Sequence, residues 1–243
     1  MDEEQLRKDL DSHNKTLLSE IELTVPVKFT NWDKDYYASQ LHKNSCGGYC
    51  EAEVFYKEPL EQPKIAHELL HSKTGLILGD NAIMFAVEKQ TIPFQYMMKG
   101  AEHIGNVCEH VIFYPVYLEM GYKEEDFCEQ AKDIDSRLEE LSFLLKNGLK
   151  DKGHYSSQKV SQYLGLAFSF LFYPQDERFR KEVKQLQKID VTLFSMIKKL
   201  KDACCNLDII PENRDYIQEA YLDFAYNMND WFAKAFKGAI FVK

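Results

Sequence analysis

The chain has 243 residues, of which 45% are hydrophobic and 13% aromatic, and its formal net charge is -9. That composition is globular, and the length suffices for one large domain or two modest ones with a sizeable core. The acidic balance, with no long basic run, argues against a nucleic-acid binder that relies on phosphate contacts, and no window approaches 18 uncharged apolar residues, so no membrane span is expected.

The opening MDEEQLRKDLDSHNK is charged and lacks the apolar stretch of a signal peptide, so a cytoplasmic protein is expected, with its six cysteines as reduced thiols. Residues 2–23 read as one amphipathic helix, with Leu6, Leu10, Leu17, Leu18 and Ile21 on one side. Residues 25–32 alternate and carry β-formers, which predicts a strand. Residues 33–48 read as loop, with room for a short helix over 36–41. Residues 49–56, YCEAEVFY, alternate again and predict a second strand. Cys46 and Cys50 are spaced by three residues, which matches no metal or redox motif.

The segment IAHELLHS at 65–72 is the chemically informative one. It is an HExxH pattern on an apolar helix entered near Pro63, with Gly75 at its expected end. Residues four apart stack one turn above each other, so His67 and His71 can offer two imidazoles to one metal ion. Glu68 lies one position round from His67 and suits a general base. A zinc site of this kind needs a third protein ligand and keeps its fourth position for water. Two strands directly before such a helix also offer an edge on which an extended peptide can pair.

Periodicity does not decide the structure of residues 76–90. A long helix is expected over 94–120, kinked near Pro115. Glu102, His103, Asn106, Glu109 and His110 fall on one broad polar face of it, beside apolar Ile104, Val107, Val111 and Ile112. Two histidines and two glutamates there read as the facing wall of the metal site. Glu102 ranks first as third ligand, His110 second and Glu109 third. His103 and Tyr114 are candidates, by position, for supporting a developing oxyanion.

Glu102 to Val107, EHIGNV, with Pro115 further on, resembles the second motif of the ImmA/IrrE family of intracellular bacterial zinc peptidases. The resemblance covers residues 63–115. It implies a zincin-like catalytic part, with His67, His71 and Glu102 as zinc ligands, Glu68 as base and Asn106 as the companion of Glu102. It also implies a peptide or protein substrate, with one regulatory protein more in keeping than broad digestion. His103-Ile104 and Glu109-His110 depart from the family pattern and leave His110 or Glu109 open as ligand.

After Tyr122 the chain reads as helices over 124–147, 158–172, 177–207 and 212–236, with a short strand over 238–242. Aromatics such as Tyr216, Tyr221, Phe224, Tyr226, Trp231 and Phe232 recur there at helical intervals and read as core. The expected class is therefore α+β: a zincin-like domain over 1–122 with a small sheet and the HExxH helix, then a helical region over 123–243. The expected activity is zinc-dependent peptide hydrolysis, with a catalytically silent zincin-fold binding protein as the alternative. No nucleic acid is expected as partner.

Overall fold

A computed structural model describes residues 2–79, 104–127, 134–172, 179–205 and 207–236. The fold is mixed α and β and mostly helical, with nine helices and one three-stranded sheet among the described residues. Two compact units interleave along the chain: residues 1–80, 112–129 and 208–214 form the first, and 81–111, 130–207 and 215–243 the second.

The first unit opens with two helices rather than the single one expected, α1 (Glu3–Asp9) and α2 (Ser12–Glu22). The break has a local cause. Asp11 takes an extended conformation and its carboxylate accepts the Asn14 N–H at 2.8 Å, so it caps a new helix instead of continuing the old one. Strands β1 (Val27–Asn31), β2 (Ala38–Lys43) and β3 (Tyr49–Tyr56) follow.

The sheet order is β1-β3-β2, with β1 parallel and β2 antiparallel to β3. The loop expected over 33–48 is thus corrected to an edge strand and a turn. Ala38–Lys43 has little β-propensity and no fully buried residue, so pairing to β3 decides its conformation. The turn itself is written in the sequence. Asn44 Oδ1 accepts the N–H groups of Cys46 (3.0 Å) and Gly48 (3.1 Å), and Gly47 sits at φ 82°. Cys46 and Cys50 are exposed free thiols beside it.

Helix α3 (Gln62–Leu78) carries HExxH. It packs on α2 on one side and on β2 and β3 on the other. Ile65, Ala66, Leu69 and Leu70 are fully buried, which at about 1.5–3 kcal/mol for each of the larger side chains makes this helix the central element of the unit's core. Its end is corrected from Gly75 to Gly79, the C-cap residue at φ 90°. Gly75 lies inside the helix, where a Cβ would stand 2.8 Å from the side-chain end of Leu41 on strand β2.

Helix α4 (Ile104–Glu119) runs through Pro115, whose ring faces the exposed side. Its second half belongs to the first unit, where Phe113 and Tyr117 are fully buried. The chain then turns at Gly121 (φ 83°) into a 3₁₀ turn, Glu124–Asp126, and Phe127.

The second unit contains α5 (Ile134–Asn147), a two-residue hairpin at 150–155, α6 (Ser157–Leu171), α7 (Arg180–Ile189), α8 (Val191–Cys204) and α9 (Arg214–Ala235). The single helix expected over 177–207 is divided at Asp190. That residue is extended (φ -150°), and its carboxylate accepts the N–H groups of Thr192 (3.0 Å) and Leu193 (2.9 Å). The strand expected over 238–242 lies outside the described residues. Among the described residues no helix is long and apolar enough to cross a membrane.

Candidate metal centre

The site is built on α3. Four-residue spacing places His67 and His71 on one face, and their Nε2 atoms stand 3.2 Å apart with ring centroids at 4.9 Å. Two nitrogens bound at about 2.0–2.1 Å to a tetrahedral zinc would lie about 3.4 Å apart. The observed pair therefore fits one shared ion with little rearrangement. The same separation also suits a single N–H···N hydrogen bond between neutral rings.

The third imidazole comes from α4. His110, only 6% exposed, brings a ring nitrogen to the pair, and the three ligand atoms lie within 4.8 Å of one another. His110 stands one turn before Phe113, which anchors this helix in the first unit's core. Among the described residues, His110, ranked second for the third position, is placed with the pair. Glu102 and His103 lie outside the described residues. Glu109 is half-buried and does not join the histidine group, and Asn106 is exposed.

Aromatic rings hold the imidazoles. Phe113 meets His71 edge-on at 4.8 Å and His67 at 5.3 Å, and Phe127 lies 4.9 Å from His67. Tyr114 packs against Phe127 at 4.8 Å, which places it in the aromatic wall beside the site. These contacts restrict ring rotation and keep the donor atoms turned together. Phe113 and Phe127 were not singled out from sequence, although the three-residue step from His110 to Phe113 carries the signal for the first.

Burial pushes the His67 imidazolium well below the usual histidine range, and His71 beside it acts in the same direction. Neutral imidazole is the form that binds a metal. Glu68 is 9% exposed and follows His67 on α3. Three imidazoles are borderline nitrogen donors and suit zinc, copper or nickel better than magnesium or calcium.

A second group of possible ligands, His42, Glu51 and Glu53, lies on the outer face of the sheet. Its central carboxylate is already occupied. Glu53 accepts from the Thr30 hydroxyl, from Lys28 Nζ at 2.9 Å, and sits 3.0 Å from His42 Nε2. Those bonds hold its carboxyl down at about 2, the Thr30 bond first and the Lys28 bond next. This cluster is a cross-strand ionic network rather than a ready ion cage.

Comparison with protein-family models, with curated proteins and with solved structures finds no match.

Proposed function

We propose that the chain is a zinc-dependent peptidase of zincin-like architecture, hydrolysing a peptide bond in a peptide or protein substrate. The observation that carries this reading is the convergence of His67 and His71 of an HExxH helix with the buried His110 of α4. The resemblance to the ImmA/IrrE peptidases supports the same reading through residues 63–115, with His110 taking the position for which Glu102 ranked first.

His67, His71 and His110 would hold the ion. A bound zinc would supply Lewis acidity, lowering the pKa of water and polarising a substrate carbonyl. Glu68 takes the proton of the attacking water and returns it to the leaving amine. Phe113 and Phe127 keep the imidazoles oriented and exclude bulk water from their apolar side. Among the described residues β1 and β2 are the two edges of the sheet, so either can pair with an extended substrate, whereas β3 is central.

A second reading is a zincin-fold binding module that holds metal without cleaving. The close packing of Phe113 and Phe127 on the histidine pair favours it, since those rings narrow the approach to the ion. Incubating the zinc-loaded protein and its Glu68→Gln variant with a diverse peptide library separates the two. Cleavage by the first and not the second supports the peptidase, and zinc binding with no cleavage by either supports the silent module.

A further inference from the structure

We infer that Tyr122, Asn14, Gln62 and Asp11 form a positioning latch that sets the histidine helix α3 against the end of α4, and so aligns the three imidazoles. This inference rests on the metal-centre reading above.

The network is compact and joins three parts of the first unit. Gln62 is the first residue of α3. Its side-chain Oε1 accepts the Asp11 N–H at 3.0 Å and Asn14 Nδ2 at 3.0 Å, while its Nε2 donates to the Asp9 carbonyl at 2.9 Å. Asn14 Nδ2 also reaches the Gln62 carbonyl at 3.0 Å and the Tyr122 hydroxyl at 3.1 Å. The Tyr122 hydroxyl in turn donates to Asp11 Oδ2 at 2.6 Å. Asn14 is fully buried and its partners Asp11, Gln62 and Tyr122 are half-buried, so loss of a partner leaves the Asn14 amide with an unsatisfied polar group away from water.

The consequence for the site is geometric. One end of the latch is the first turn of α3, which leads directly into His67 and His71. The other end is Tyr122, which follows the Gly121 turn closing α4, the helix that carries His110. A second, apolar connection runs the same way: Tyr122 contacts Tyr117 at 5.1 Å, Tyr117 contacts Phe127 at 4.9 Å, and Phe127 contacts His67. Sliding α4 along α3 would break both. A ligand set closes on an ion only within a few tenths of an ångström, so the groups that fix this register set the affinity without touching the metal.

The test uses cobalt(II), whose visible spectrum reports coordination geometry. The full chain, Tyr122→Phe and Gln62→Ala are titrated with Co²⁺, beside Tyr163→Phe as a control. Tyr163 is a fully buried tyrosine of the second unit whose hydroxyl donates to the carbonyls of Leu186 and Asp190, each at 3.2 Å. The latch predicts about tenfold weaker Co²⁺ binding and an altered absorption band for Tyr122→Phe and Gln62→Ala, with wild-type affinity and band for Tyr163→Phe. Wild-type affinity and spectrum in both latch variants overturns the inference while leaving the metal centre intact. An equal loss in Tyr163→Phe overturns it too, because general destabilisation then explains the effect. If the unmodified chain gives no cobalt spectrum, the metal-centre reading fails and the latch falls with it.

Discussion

In the proposed metal centre, His110 sets the character of the donor set. A carboxylate in its place would leave the ion two imidazoles and a negative charge, whereas a third imidazole leaves the donor set neutral. The Glu109→Ala substitution should leave metal affinity near wild type, while His110→Ala should weaken it by more than about 100-fold, beyond the 10–100-fold typical of residues outside the ligand set. Competition with a chromogenic chelator measures both. Glu68→Gln should keep the metal and lose about 10²–10⁴-fold in peptide hydrolysis. Gly75 makes a structural point at the same scale. Gly75→Ala gains about 1 kcal/mol of helix propensity and meets only the flexible end of Leu41, so its unfolding midpoint should stay close to wild type, whereas Gly75→Leu should be clearly destabilised. The four-residue step of HExxH puts His67 and His71 on one helix face, and that juxtaposition is legible in the sequence. Which residue of the polar face of α4 joins them is not, because residues of one face are separated only by how the helix rolls against its neighbour; of the candidates, His110 lies with the pair, and Glu102 is outside the described residues.

Elements with strong local signals were legible, and those decided by pairing were not. YCEAEVFY alternates and forms β3, and the apolar HExxH segment forms α3. Strand β2 leaves no such signal, because ASQLHK has weak propensity and is held by β3. The caps at Asp11 and Asp190 were present in the sequence, but a continuous apolar stripe on either side concealed the breaks. Asp190→Ala should cost about 1–2 kcal/mol in chemical unfolding, since it frees two N–H groups at the start of α8 and the Tyr155 hydroxyl bonded at 3.3 Å, while Asp190→Asn should recover most of the loss. The sheet carries a pH prediction. Glu53 titrates at about 2 in the folded chain and near 4.5 when free, so its bonds to Thr30 and Lys28 contribute above about pH 4.5 and are lost as pH falls towards 2. Glu53→Gln should accordingly flatten the fall of stability between those pH values, which denaturation at a series of pH values reads directly.

At the scale of the whole molecule, the two compact units interleave along the chain, so segments from before and after the helical region complete the first unit. Residues 208–214 show how. Arg214 donates to the carbonyls of Ile77 (2.9 Å) and Leu76 (2.8 Å), tying a late segment to the last turn of α3. Such long-range returns leave no periodic trace in sequence. A metal bound by the folded chain alone should stabilise it by about 2.7 kcal/mol at a hundred times its Kd. For a chain of this size that is about 5–10 °C in thermal midpoint. The most direct test of the account is the zinc content of the purified chain beside His67→Ala, His110→Ala and Glu102→Ala. One zinc per chain, lost in both histidine variants and kept in Glu102→Ala, is the predicted result. No zinc in the unmodified chain even when the metal is supplied, or full retention in His110→Ala, would contradict the three-histidine centre.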